Sequence, residues 1–496
     1  MNLDRLDFSI PTLSQAYQNG VTVDAVLEEV RRRVSLASDN PIWIHLLSNE
    51  DLEPYVERLR EVEPSALPLY GIPFAIKDNI DLAGVRTTAA CEAFSYTPSE
   101  SAFVVERLIS AGAIPIGKTN LDQFATGLVG TRSPWGAVRN SFDAGYIAGG
   151  SSAGSAGSVA LGHVSFALGT DTAGSGRIPA AFNNLVGFKP TRGLLSTRGV
   201  VPACRTLDCI SIFGLTVADT KRIFDAAKAF DGEDPYARPS SAICKSIGTI
   251  GIPLPNQLDF EGDNEYREAF ARATAKLPFE IRTIDINPLL EAGKLLYEGA
   301  WVAERYHAAR TLIQDAPDGL RPEFREIMAT ASDQSAVDYF EGAYSLASLR
   351  HAVVAEDKEV AHLRAEVADL ETKMAELQQL SAGVQQELDG AQSALRGGRA
   401  DVRAARLHQA RELKAHVALQ LDNTHRMLAA ILDETEDFEE RLARIQGTSL
   451  EQELFREEDF LLAGRGDWMP GQPVTAALMS EASQLHYRRA KRERYE

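Results

Sequence analysis

Cysteine is scarce in this sequence. Four in 496 residues (Cys91, Cys204, Cys209 and Cys244) are too few for the disulfide framework of a secreted domain, and reduced thiols in a cytoplasmic protein are expected. Histidine is scarce as well. Of nine, five (His351, His362, His408, His416 and His425) fall in a late region of helical character, which leaves few imidazoles for a serine hydrolase to use as its base. No run of eighteen apolar residues occurs, and the opening MNLDRLDFSIPTL lacks a basic stretch followed by an apolar one. Neither a membrane span nor a secretory leader is expected. Positive charge is in deficit: 51 Lys and Arg against 70 Asp and Glu give a net charge of −19, which argues against a protein that coats nucleic acid or anionic membrane. The single basic cluster, HYRRAKRERYE at the C-terminus, reads as a solvated tail.

What is present divides in two by texture. Residues 1 to about 66 read as helices, with Val23, Val26, Leu27, Val30 and Val34 on one face. From LPLYGIPFAIKDNI onward, short β-branched runs alternate with amphipathic stretches, which predicts an α/β domain with a mixed central sheet covered by helices. SIGTIGIPLPNQL and FEIRTIDINPLL are expected as later strands of the same layer. Near residue 355 the pattern changes. From Val360, the positions Leu363, Val367, Leu370, Met374, Leu377, Ser381, Val384, Leu388, Ala391 and Leu395 form a heptad seam, and a second runs through Val417, Leu421, Thr424, Leu428, Ile431, Thr435, Phe438, Leu442 and Ile445. Gly397 and Gly398 between them predict a turn and hence an antiparallel coiled-coil hairpin. The expected domains are therefore 1–355 (α/β), 356–447 (hairpin) and 448–496 (helical tail with basic C-terminus). A coiled coil of this length favours homo-oligomerisation.

Three small-residue or strand-end positions are candidates for chemistry, the alternative being a strand-end lysine and two unrelated loop serines. LGTDTAGSGRIPA places Ser175 where packing requires no hydroxyl, and YIAGGSSAGSAGSVALG presents Ser151 in a second Gly/Ser turn that opens a helix. Lys77 closes the apolar run GIPFAIK, where desolvation would lower its pKa and make the amine a base. Neutral Lys77 can then take a proton from Ser151, and Ser151 one from Ser175, so that Ser175 attacks without a histidine. The backbone N–H groups of Thr172, Ala173 and Gly174 are placed to receive the developing oxyanion. GAIPIGKT has the spacing of a phosphate loop (Gly112, Gly117, Lys118, Thr119), but a helix precedes Gly112 and residues 113–116 read as the strand itself, so no nucleotide site is expected. No metal and no cofactor is expected.

GGSSAGSA, GTDTAGSGR and PFAIKDN resemble the amidase signature family, whose hallmark is a Ser-cisSer-Lys triad; the resemblance implies Ser175 as nucleophile, Ser151 as cis-serine and Lys77 as base. CEAFSYTPSESAFVVERLISAGAIPIGKTNLDQFATGLVGTRSPWG and NNLVGFKPTRGLLSTRGVVPACRTLDCISIFGLTVADT are similar to its allophanate hydrolase branch, which splits an amide bond of carboxylated urea during urea degradation. That branch implies Gly127 on the pocket wall, with Tyr297 and Arg305 holding the substrate carboxylate. Tyr297 and Arg305 are eight residues apart, which predicts one face of one helix, and Arg suits a bidentate grip on a carboxylate.

The resemblance covers residues 1 to about 355, and the heptad region stands where the family has further strands. Two functions follow as expectations: a cytoplasmic amidohydrolase acting on allophanate or a similar small carboxylated amide, or an impaired amidase-like body carrying a coiled-coil interaction module. An amidotransferase acting on charged tRNA is disfavoured by the acidity.

Overall fold

The computed structural model describes residues 3, 6–239, 249–395 and 400–433. Helices α1 (Ile10–Gln18) and α2 (Val23–Leu36) precede β1 (Trp43–Leu46) and α3 (Asn49–Arg60). Next come β2 (Pro73–Lys77), α4 (Phe103–Ser110), β3 (Ile114–Thr119), α5 (Ala153–Ala160), β4 (Phe166–Thr170), α6 (Arg177–Phe182), β5 (Val186–Phe188), β6 (Ile210–Gly214) and α7 (Val217–Ala227). A later run supplies β7 (Thr249–Pro253), α8 (Asn264–Thr274), β8 (Glu280–Ile284), α9 (Asn287–Glu298), α10 (Trp301–Asp315) and α11 (Pro322–Ala329). Two long helices close the described chain, α12 (Ala336–Leu395) and α13 (Ala400–Asp433). The chain divides into two compact units, Met1–Arg350 and His351–Glu496.

Local chemistry starts the helices as expected. The Thr22 hydroxyl accepts from the Ala25 N–H at the start of α2, and Ser48 and Asp51 form a reciprocal capping box on α3. Six strands form a mixed sheet in the order β1-β3-β2-β4-β6-β5. Its centre is parallel: β2 pairs with β3 on one side and β4 on the other, while β1, β5 and β6 join antiparallel. Every residue of β2, β3, β4 and β6 is buried, as a sheet covered on both faces requires. Phe74 and Phe166, paired in register, stack with ring centroids 5.0 Å apart. Burying each ring stabilises the fold by about 1.5–3 kcal/mol. The short strand β1 lies within the stretch read as wholly helical. Its four residues are too few to show a period.

One expectation about the sheet is corrected. β7 and β8 do not extend the central layer; they pair with each other, in parallel, as a separate two-stranded sheet. Neither strand has a buried residue, and such strands do not suit a sheet whose central members are enclosed on both faces.

Lys118, the lysine of the phosphate-loop-like spacing, lies inside β3. Its Nζ is 2.8 Å from Asp78 Oδ1, both side chains being fully buried, and donates to Thr87 Oγ1 at 2.9 Å. Lys118 is thereby committed to the sheet interior. Lys118→Met strands the Asp78 carboxylate without its counter-charge and is expected to cost about 3–5 kcal/mol of stability by denaturant titration. A loss under about 1 kcal/mol would show that the pair is dispensable.

In the second unit, Leu370 and Val384 of α12 and Val417 and Leu421 of α13 are buried, and Lys414 Nζ donates to Gln385 Oε1 at 3.0 Å. α12 is a single helix of 60 residues; the change of texture near 355 therefore occurs within continuous helix. The expected Gly397–Gly398 turn, the seam from Thr435 to Ile445, the tail 448–496 and Cys244 lie outside the described residues.

Candidate active site

Because β2, β3 and β4 run parallel, their C-terminal ends open onto one edge of the sheet, where α/β proteins place their ligands. Lys77 ends β2, Asp122 follows β3, and Thr170 ends β4. Lys77 Nζ lies 2.7 Å from Ser151 Oγ and 2.8 Å from Thr170 Oγ1. Full burial pushes the amine down to about 7, against the opposing pull of the Asp122, Asp171 and Asp208 carboxylates. At neutral pH a large share of Lys77 is therefore unprotonated and able to accept a proton.

Ser151 sits in the turn before α5, following Gly149 at a φ of +74°, and its Gly150–Ser151 peptide bond is cis. The next residue ties this turn to the other serine: the Ser152 N–H donates to the Ser175 carbonyl at 3.3 Å. Ser175 is buried, with its Oγ 3.5 Å from the Gly127 carbonyl oxygen, the long limit of a hydrogen bond.

Asp171 closes the turn that carries Ser175. Its carboxylate accepts from the Gly174 N–H at 2.7 Å and from the Arg177 backbone and guanidinium at 2.9–3.2 Å. The guanidinium and these N–H donors outweigh burial and hold its carboxyl below the usual range. One of the three expected N–H groups is engaged within the protein. The Gly174 N–H is taken by Asp171, whereas among the described residues the N–H groups of Thr172, Ala173 and Ser175 have no protein acceptor. Thr172 is oriented by its hydroxyl, which donates to Asp208 Oδ1 at 2.6 Å.

Gly127 forms the wall opposite Ser175. A β-carbon there would lie 2.7 Å from Asp122 Oδ2, so only glycine fits. Arg305 is 2% exposed; its Nη1 donates to Thr126 Oγ1 at 3.0 Å, next to Gly127, and its buried Nε has no hydrogen-bond partner. Its guanidinium carbon lies 4.9 Å from the Tyr297 ring centroid, a cation–π distance. Tyr297 and Arg305 do meet, but not as two turns of one helix. α9 ends at Glu298, Gly299 breaks the chain, and α10 restarts at Trp301. The neighbouring Glu304 fixes α10 by accepting from the Thr206 N–H and Oγ1 and the Cys204 thiol at 2.7–2.9 Å.

His163 does not suit the role of base. His163 Nδ1 accepts from Trp43 Nε1 at 3.3 Å, the rings stack, and burial holds the imidazole down to about 4. Four further residues belong to the arrangement: Thr170, Asp122, Asp171 and Asp208. The Asp-x-x-Gly spacing before Ser175 is a legible side-chain-to-backbone turn signal for Asp171. The other three have no local signature.

The chain is similar to known proteins over most of its length. A family model described as Amidase matches residues 25–381. The urea amidolyase of Saccharomyces cerevisiae is 45% identical over 350 residues, covering 69% of this chain and 19% of that protein. A glutamyl-tRNA(Gln) amidotransferase subunit from an Exiguobacterium species is 43% identical over 265 residues, covering 52% of this chain and 55% of that one. Among solved structures, Kluyveromyces lactis allophanate hydrolase matches with a TM-score of 0.66 and 42% identity, covering 70% of this chain and 58% of that chain. The chain thus spans less than two thirds of the length of each of these relatives. Since the family match takes in β2, both serine turns and the helices carrying Tyr297 and Arg305, the chain belongs to the amidase family.

Proposed function

We propose that this chain is an amidohydrolase that cleaves allophanate, or a similar small carboxylated amide, through an acyl-enzyme. The observation that carries the reading is the fully buried Lys77 amine 2.7 Å from Ser151 Oγ, a base of near-neutral pKa joined to a hydroxyl. Lys77 takes the Ser151 proton as Ser151 takes that of Ser175, and Ser175 Oγ bonds to the amide carbon. The N–H groups of Thr172 and Ala173 hold the oxyanion; Gly174, its N–H already engaged, shapes the turn. As the C–N bond breaks, the proton returns through Ser151 to the departing nitrogen, and water then hydrolyses the acyl-enzyme with the relay reversed. Similarity to urea amidolyase and allophanate hydrolase supports the substrate class, and so does Arg305, buried with an unpartnered Nε beside Tyr297. Ammonia release from allophanate by the purified chain tests the reading; no release, with the chain folded, would refute it.

Arg305→Ala is expected to raise KM for allophanate by the equivalent of about 2–5 kcal/mol while changing a neutral amide little, because only the carboxylate pairs with the guanidinium. Kinetics on both substrates check it. An equal loss on both would make Arg305 structural.

The finer domain assignment is part of the same proposal: a catalytic body over 1–355, a coiled-coil hairpin over 356–447 that serves homo-oligomerisation, and a tail over 448–496. The buried Leu370, Val384, Val417 and Leu421 support it. A fragment of residues 356–447 is expected to be strongly helical by circular dichroism and to melt cooperatively. A non-cooperative, weakly helical fragment would refute the hairpin. The free cysteines Cys91, Cys204 and Cys209 support a reducing, cytoplasmic setting. No helix among the described residues is long and apolar enough to cross a membrane.

A further inference from the structure

One buried carboxylate at the site has no part in the relay described above. Asp122 is fully buried in the turn after β3, and both its backbone and its side chain are engaged. Its N–H donates to the Ser151 carbonyl at 3.1 Å. Its Oδ2 accepts from the Val129 and Gly130 N–H groups at 3.2 and 3.0 Å, and its Oδ1 from the Arg132 N–H at 2.9 Å. The loop so gathered returns to the relay serine, because the Leu128 carbonyl accepts from the Gly150 N–H at 2.8 Å. A β-carbon at Gly127 would collide with the same Oδ2, and one at Gly150 would fall nearer still. Two glycines thus make room for this one carboxylate.

We propose that Asp122 is a positioning residue for the reaction: a single buried side chain that fixes the pocket wall at Gly127 and the relay hydroxyl of Ser151 in one register, while placing its negative charge toward Lys77. The proposal rests on the Lys77–Ser151–Ser175 reading above. Three amide N–H groups directed at one carboxylate make an acceptor cradle that no neutral isostere reproduces. In asparagine one oxygen becomes an NH2, which would face N–H donors instead of accepting from them. The loop would then have to move, and with it the Gly127 carbonyl that faces Ser175 Oγ.

The electrostatic consequence is separable from the geometric one. Lys77 is faced by Asp122 after β3, Asp171 after β4 and Asp208 before β6, all of which favour its protonated form against burial. Asp171 is paired with Arg177, and Asp208 accepts from Thr172, Ala203 and Cys204. The Arg132 guanidinium is directed to the Thr126 carbonyl, not to the Asp122 carboxylate. Removing the Asp122 charge therefore makes Lys77 easier to deprotonate, and reactivity should persist to lower pH.

The test uses the full chain and two readouts: the pH dependence of covalent labelling of Ser175 by a fluorophosphonate, followed by intact mass, and hydrogen exchange of residues 128–132. For Asp122→Asn the expected results are an alkaline plateau about tenfold to a hundredfold slower, an acidic limb moved down by on the order of one pH unit, and faster exchange at 128–132. Asp122→Glu keeps the charge but sets the oxygens one methylene further out; its limb should stay at the wild-type pH while its plateau falls. A limb or an exchange rate left at its wild-type value in Asp122→Asn overturns the proposal. Should Asp122→Asn not fold, an undiminished plateau in Asp122→Glu does so. A wild-type chain that takes no label at Ser175 refutes the triad reading instead, and exchange at 128–132 still decides whether Asp122 holds the loop.

Discussion

Ser175→Ala is expected to abolish covalent labelling by a serine-directed fluorophosphonate and to lower kcat by on the order of 10⁶, the scale found when an activated serine nucleophile is removed. The effect is large because no other hydroxyl can substitute. Ser151 Oγ is engaged by the Lys77 amine. Ser152 Oγ donates to the Thr170 carbonyl at 3.2 Å, and Ser155 Oγ donates to the Leu168 carbonyl at 2.9 Å. Both point into the sheet. Loss of one hydroxyl from a buried turn held by Asp171 leaves that turn's other bonds intact, so thermal stability should change little. Labelling that persists at full stoichiometry in the mutant would place the nucleophile elsewhere.

Lys77→Met should be the next most damaging change, with a fall of about 10²–10⁴ in kcat, the usual worth of a positioned general base. Methionine keeps the length of the side chain in a fully buried site and removes only the amine. The pH dependence identifies the group more sharply than the rate does. Burial sets the wild-type amine at about 7, far below the ordinary lysine value of about 10.4. The proposed reaction needs the neutral amine, so activity should be low below that pH, rise through about 7 and level off above it. In Lys77→Met that limb should vanish from the residual activity. His163→Ala should leave it in place, because that imidazole is bonded to Trp43 and held near 4. A limb abolished by His163→Ala and retained in Lys77→Met would reverse the assignment of the base.

Much of this site can be read along the chain, because several of its parts depend on local residue order. A lysine at the end of an apolar run is a desolvated lysine wherever the strand is placed in a covered sheet. Small residues around Ser151 and Ser175 free the backbone to turn wherever those turns lie. Failures of local reading have a common cause. Tyr297 and Arg305 suggest one helical face by number alone, but Gly299 ends the helix between them, and their contact is made by two helices packing. Strands β7 and β8 look like members of the main layer until their exposure is known, since strand propensity does not specify which sheet a strand enters.

The amino-acid order by itself determined the candidate groups that the proposed function uses: a serine without a neighbouring histidine, a strand-end lysine, and an arginine and a tyrosine eight residues apart. It also determined the α/β alternation and the heptad texture after residue 355. Only the tertiary structure decided which groups touch. Lys77 meets Ser151 across 74 positions, and Thr170 across 93, because the parallel pairing of β2 with β3 and β4 brings their ends to one edge. It decided that the Gly174 N–H donates to Asp171 and that Asp122 reaches back to Ser151. The physical reason is range. Backbone turns and helical faces depend on neighbours within a few residues, whereas a hydrogen bond or a desolvated charge depends on whatever the folded chain brings within about 3–4 Å of it.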